Sequence, residues 1–151
     1  MKGGRRLLIV LGFLILAVVI LIMSRSRNLP GVIDGYATTK LTSGGKSYTV
    51  LLADDTYKST KGLGYRDNLP ANQGMLFPYK VEEQQCFWMK GMKFSIDMIW
   101  LDADRKVTAV ETNVSPATYP KSFCHDGQYV LELNAGQAEK AAIRQGVQLE
   151  F

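Results

Sequence analysis

The feature that most constrains the fold is the stretch of residues 86–100, where apolar and charged side chains are mixed over a short length of chain. Both tryptophans and three methionines lie within these fifteen residues, with three charged residues between them. Runs of this composition form strands, and a glycine between two such runs marks a turn. The stretch therefore predicts two strands, residues 87–90 and 96–102, that form a hairpin around Gly91. Its charged residues are either solvated on a core hairpin or part of a binding site.

The same stretch resembles a known family. Residues 87–92 (Phe-Trp-Met-Lys-Gly-Met) and 96–100 (Ile-Asp-Met-Ile-Trp) are similar to segments of the bacterial and archaeal family called domain of unknown function 192. Three further segments match that family in the same order, at residues 62–66, 74–77 and 129–136. Gly91 departs from the family, which more usually has a polar residue there. The resemblance implies a compact, mainly β fold over residues 36–151 and no particular reaction.

An uncharged apolar run covers residues 7–23 and has basic residues on both sides. A helix of that length is about 25 Å long, which spans a bilayer when the flanking arginines reach the headgroups. The positive-inside rule places residues 1–6, the basic tail, in the cytoplasm and the rest of the chain outside. The sequence therefore predicts a transmembrane signal-anchor, a single pass through the cell membrane and an extracytoplasmic domain.

A cleaved secretory signal is the alternative to an anchor. Ser24 and Ser26 place small residues two positions apart, as a cleavage site does, and cleavage there would release a secreted protein. In either case residues 24–35, which are rich in Ser, Arg, Asn, Pro and Gly, form a short tether. Residues 36–151 are then one globular domain, long enough to bury a single core.

The net charge of +4 comes from the start of the chain. Residues 1–27 contain five of the eighteen Lys and Arg residues, which leaves thirteen against fourteen Asp and Glu, a net charge of −1. Domains that bind nucleic acid carry a surplus of basic residues. The charge balance therefore argues against nucleic acid as a partner.

Short β-type runs follow one another closely through the globular region. Strands are predicted at residues 36–41, 46–53, 75–79, 106–113 and 129–133, with a polar turn at 81–85 and a loop at 114–126. Strands so close in sequence favour antiparallel pairing. The predicted fold is mainly β (α+β), a compact and mostly antiparallel barrel or sandwich-like sheet with two short helices.

The two helices have recognisable ends. Asp54 or Asp55 is expected to cap the first helix, and Gly62 or Gly64 to end it. The second helix is predicted over residues 137–145, before Gly146.

Cys86 and Cys124 are the only cysteines. In an exported domain they most simply form a disulfide, which would close a loop of about 38 residues and stabilise the fold by roughly 3–4 kcal/mol. Two free buried thiols, or a catalytic thiol with His125 as its base, are the alternatives. No metal site or cofactor is predicted, since the consecutive residues Cys124, His125 and Asp126 do not readily converge on one ion.

Asp97 and Glu132 each lie inside an apolar strand, where a carboxylate must be paired, hydrogen-bonded or turned to solvent. Arg66 and Lys90 are the natural cationic partners. These two carboxylates and two cations are therefore expected to form either a structural ion pair or a polar pocket rimmed by Trp88.

We therefore predict a non-catalytic module that binds a polar small molecule or an envelope component. Its candidate ligand-binding residues are Arg66, Trp88, Lys90, Asp97 and Glu132. The rival function is an envelope glycan hydrolase, which would need Asp97 and Glu132 in one cleft about 5–10 Å apart. The third possibility is that the domain has a purely structural role. No phosphate-binding glycine loop or serine-nucleophile motif is present in the sequence, which argues against common enzyme classes.

Overall fold

Seven strands and two short helices make up residues 31–151, the part of the chain that the computed structural model describes. The strands are β1 (Val32–Ile33), β2 (Tyr36–Ser43), β3 (Lys46–Leu52), β4 (Gln73–Trp88), β5 (Ile96–Leu101), β6 (Val107–Val114) and β7 (Ser122–Asn134). The helices are α1 (Thr56–Lys61) and α2 (Gln137–Lys140). The predicted basic tail, the anchor at 7–23 and residues 24–30 of the tether lie outside this part. Within it, no helix has the length and apolar character needed to span a bilayer.

The strands form one sheet in the order β1-β2-β3-β4-β7-β5-β6. All neighbouring pairs are antiparallel except β3 and β4, which run parallel with α1 between them in the chain. The prediction of a mainly β, mostly antiparallel sheet with two short helices is confirmed, but the second helix ends at Lys140 and does not continue to residue 145. Strand β1 takes two residues from the segment assigned to the tether, and Val32 pairs there with Ala37.

The sheet is not closed into a barrel, so that part of the predicted fold is wrong. Strands β1 and β6 are its two edges. A small barrel buries only its inner face, whereas this sheet carries apolar residues on both faces. In β5 all six residues are buried, with Met98 and Trp100 on one face and Ile99 and Leu101 on the other. Covering both faces gives an open sheet with a core on each side.

The predicted hairpin of residues 87–90 and 96–102 is not formed. Trp88 ends β4 and pairs with Ser122 of β7, while β5 pairs with β6 and with the other part of β7. Gly91 does occupy a turn, with a left-handed φ of 71°. The two segments that are adjacent in sequence are therefore separated in the sheet by β7.

Strands β4 and β7 are longer than their sequence patterns indicate. Residues 81–85, predicted as a polar turn, continue β4, and residues 122–126, predicted as loop, begin β7. The register shifts between Pro78 and Glu83. Residues 80–84 are exposed, so their polarity reflects a solvent-facing ribbon and not a turn.

Asp97 connects three elements of the domain. It lies in β5 with no exposed surface, and its carboxylate accepts hydrogen bonds from the Asn113 amide of β6 and the Ala138 amide of α2, both at 2.9 Å. Charge-assisted bonds to backbone N–H groups are among the stronger hydrogen bonds in proteins. Asp97 therefore holds α2 against the sheet and ties β5 to the edge strand β6.

We expect Asp97→Ala to lower the free energy of unfolding by about 3 kcal/mol, because it leaves two backbone donors without their acceptor in the interior. Urea unfolding followed by circular dichroism measures the change. Asp126→Ala, at an exposed carboxylate of β7, is the matched control and should change stability little. Equal stability of the two variants would contradict the structural role of Asp97.

Candidate functional site

A cavity of about 320 Å³ lies between the end of α1 and the sheet. Its walls come from residues 59–63, from β4, and from the turn that follows β4, and Glu132 of β7 also lines it. The aromatic residues of the lining are Phe77, Tyr79, Phe87 and Trp88, and its cations are Lys61 and Lys90. Volumes of roughly 300–1,000 Å³ are typical of small-molecule sites.

Helix α1 is positioned by its two ends. The Asp55 side chain accepts a hydrogen bond from the Lys58 amide at 2.8 Å, and Gly62 ends the helix with a φ of 52°. Asp55 and Gly62 are therefore confirmed as the predicted ends. Leu63 then enters the core, and the Tyr65 amide bonds to the Gly91 carbonyl at 2.8 Å. These contacts join the α1 side of the cavity to the turn that carries Lys90.

The aromatic wall is built from both halves of β4. The Phe77 and Phe87 rings meet edge to face at 4.9 Å between centroids, and Phe87 in turn contacts Trp100 at 6.1 Å. Trp88 is 53% exposed at the end of the strand. Tryptophan is usually well buried, so this ring offers an apolar surface to an incoming molecule.

Glu132 is the buried polar group of the site. It lies in β7 between Met75 of β4 and Met98 of β5, on the same face of the sheet as these two methionines. Only 5% of its surface is exposed, and its Oε2 atom has no hydrogen-bond partner within residues 31–151. Burial raises the pKa of Glu132 to about 8, so it is mostly a neutral acid at pH 7. Burial, followed by the charge of Glu132, also raises the pKa of nearby Tyr79 to about 12.

Asp97 and Glu132 lie on opposite faces of the sheet. Met98 pairs with Glu132, and successive residues of a strand point to opposite sides, so Asp97 points away from Glu132. Two carboxyl groups separated by the sheet cannot flank one glycosidic bond. The hydrolase arrangement expected of Asp97 and Glu132 is therefore not formed.

The structure brings together Trp88, Lys90 and Glu132 among the five predicted site residues, and it separates the other two. Arg66 donates to Asp34 at 3.2 Å and its guanidinium lies 5.5 Å from the Tyr36 ring centroid. Asp97 lines a second cavity of about 470 Å³ beside α2, on the other face. Neither Arg66 nor Asp97 lines the cavity that contains Glu132.

Cys86 and Cys124 form a disulfide, as predicted. They are directly opposite each other on β4 and β7, with 4.1 Å between their Cα atoms. Cys86 also lines the cavity. The neighbouring His125 contacts Glu111, with 2.9 Å between Nε2 and Oε1. The cysteines therefore tie the two strands together where they approach the site.

Lining residues that sequence reasoning missed include Lys61, Phe77, Tyr79 and Phe87. Strand periodicity could have placed Tyr79 beside Phe77, because they are two residues apart in β4. No local sequence pattern indicates that Lys61 lines the cavity. Its place in the lining depends on how α1 packs against the sheet, which no local pattern encodes.

The family model DUF192, described as "Uncharacterized ACR", matches residues 39–151, which confirms the resemblance seen in the sequence. A solved structure of a protein of unknown function from Novosphingobium aromaticivorans DSM 12444 is similar at 26% identity and a TM-score of 0.75, over 83% of this chain and 94% of that one. A structure titled a putative transcription regulator from Sinorhizobium meliloti 1021 is similar at 29% identity and a TM-score of 0.70, over 80% of this chain and 97% of that one. No curated protein matches the chain.

We expect Glu132→Gln to make the domain more stable than wild type at pH 8 and to have less effect at pH 5. Because its folded pKa of about 8 exceeds its ordinary 4.5, the stability that wild-type Glu132 contributes is fully present below pH 4.5. That contribution is lost as the pH rises through 8. The stability difference between variant and wild type should therefore grow by about 3 kcal/mol from pH 5 to pH 8. Urea unfolding at both pH values measures it.

Glu139→Gln, at an exposed position of α2, is the control and should show no such trend. If Glu132→Gln and wild type show parallel pH dependence, Glu132 is not held neutral in the folded domain.

Proposed function

The chain belongs to the DUF192 family, and on that premise we propose that its domain is a non-catalytic module that binds a small molecule in the cavity between α1 and β4. The bound molecule would contact Trp88, Lys90 and Glu132. This keeps the binding function expected from the sequence and restricts it to one face of the sheet.

The observation that carries this proposal is the unpartnered Oε2 atom of Glu132. A buried polar atom without a hydrogen bond costs about 1–3 kcal/mol, so folds rarely keep one without a use. Glu132 lines the cavity, and a molecule held there can supply the missing partner. The acid is thus placed to recognise a ligand.

The surroundings of Glu132 support recognition more than catalysis. Aromatic side chains give a ligand apolar contact, and an ammonium beside an aromatic ring is a common way to hold a polar molecule. Glu132 is the only carboxyl group among the described residues that line the cavity, so no second acid is available to share proton transfer. The charge of −1 beyond residue 27 gives no support for carrying over the regulator title of the Sinorhizobium protein.

We also propose that residues 7–23 anchor this module to the cell membrane, with the domain outside. The apolar run and the basic residues before it support this topology. The Cys86–Cys124 disulfide also supports it, since such bonds persist in oxidising compartments.

A thermal-shift screen of polar and aromatic small molecules on the full-length chain tests the binding function. A ligand at about a hundred times its Kd stabilises the fold by about 2.7 kcal/mol, which raises Tm by several degrees. Trp88→Ala and Lys90→Ala should each reduce the shift, because both side chains are exposed at the cavity. Lys93→Ala is the matched control, since Lys93 pairs with Asp67 and does not line the cavity. The binding site is wrongly assigned if no compound raises Tm, or if every hit is unaffected by Trp88→Ala and Lys90→Ala.

Fusion of alkaline phosphatase after Phe151 tests the topology. We expect the phosphatase to be active, because alkaline phosphatase folds only where disulfides form. We also expect the fusion protein to be bound to the membrane. An inactive phosphatase fusion, together with a fluorescent-protein fusion that is active in the cytoplasm, would contradict the orientation. The mass of the mature chain separates an anchor from a signal cleaved after Ser26.

A further inference from the structure

The cavity that contains Glu132 presents cations with no carboxylate partner. Salt bridges join Lys58 of α1 to Asp54 at 2.6 Å and Lys93 to Asp67 at 2.6 Å. Lys61, three residues after Lys58, and Lys90, three residues before Lys93, form no salt bridge within residues 31–151. Both of these lysines line the cavity.

The acid at the site does not balance this charge. Glu132 is a buried acid whose carboxyl oxygens form no salt bridge with either lysine in the described part of the chain. An ammonium group with no ion partner attracts an anion, and because both lysines are exposed each contributes a modest attraction. The lining therefore carries two cations, and its one carboxyl group, Glu132, is mostly neutral at pH 7.

We propose that the cavity binds a small organic anion, with its carboxylate or similar group at Lys61 and Lys90 and its apolar body against Phe77 and Phe87. This ligand class rests on the proposed binding function. A cationic ligand would be repelled by both lysines, and a neutral ligand would leave them unused. The cavity of about 320 Å³ limits the anion to a small molecule.

The protonation of Glu132 couples this binding to pH. Lys61 faces the cavity from α1, Lys90 from the turn after β4 and Tyr79 from β4, while β5 presents the uncharged Met98. As the pH rises through about 8, Glu132 becomes a carboxylate and repels a bound anion. Affinity for the anion should therefore fall as the pH rises from 6 to 9, and the fall should be absent in Glu132→Gln.

Three probes that differ in charge and little in shape test the ligand class on the full-length chain: benzoate, benzamide and benzylamine. The indole N–H signal of Trp88 in NMR titrations reports binding. We expect benzoate to bind about tenfold more tightly than benzamide, and benzylamine to bind most weakly.

Lysine variants locate the bound charge. Lys61→Gln and Lys90→Gln should each weaken benzoate binding about threefold, as expected for partly exposed ion pairs, and together about tenfold. Lys58→Gln and Lys93→Gln are the matched controls on the same two elements and should leave it unchanged.

The possible outcomes separate this proposal from the binding function itself. If benzamide binds as tightly as benzoate, or benzylamine binds best, the site takes small molecules but the anion assignment is overturned. It is also overturned if the double lysine variant keeps full benzoate affinity, or if benzoate fails to bind while the thermal-shift screen yields neutral or cationic ligands. If no probe binds and the screen yields nothing, the proposed function fails together with the ligand class.

Discussion

The burial of β5 on both faces is the constraint on which the rest of the domain depends. All six of its residues are buried, so each face of the sheet needs its own cover. One face is covered by α2 and the C-terminal residues, including Ile143 and Leu149, and the other by residues after α1, including Leu63 and Leu69. A sheet covered in this way has strands that are apolar on both sides, as is usual where helices and loops pack on each face.

The same arrangement gives two buried carboxyl groups different roles. Asp97 points to the α2 side, where two backbone amides satisfy it at 2.9 Å. Glu132 points to the α1 side, where methionines flank it and a cavity lies beside it. One acid is therefore hydrogen-bonded within the fold, and the other has an oxygen without a hydrogen-bond partner among residues 31–151. Because the two lie on opposite faces of the sheet, they do not form a pair of carboxylates in one cleft.

Local signals in the sequence predicted local structure well. The Asp55 cap, the Gly62 end of α1, the strands at residues 36–41 and 46–53 and the resemblance at residues 62–66 and 74–77 all concern neighbouring residues. The disulfide was also predicted, because the sequence has only two cysteines. Of the five candidate site residues, Trp88, Lys90 and Glu132 line one cavity. The errors concern pairing between distant segments. Residues 82–84 are polar whether they form a turn or lie exposed in a strand, and nothing near Gly91 shows that β7 separates β4 from β5.

The central position of β7 also has a consequence for how the chain acquires its structure. Strand β7 lies between β4 and β5 in space but follows both in sequence. Until residues 122–134 are present, the strands from β1 to β4 and the β5–β6 hairpin each have an open edge and no partner to join them. A nascent chain that has emerged only as far as β6 thus cannot complete the sheet, and closure depends on contacts between distant residues, which slow folding. The sheet should therefore remain incomplete until residues 122–134 have emerged, and only then should the domain become a single cooperative structure.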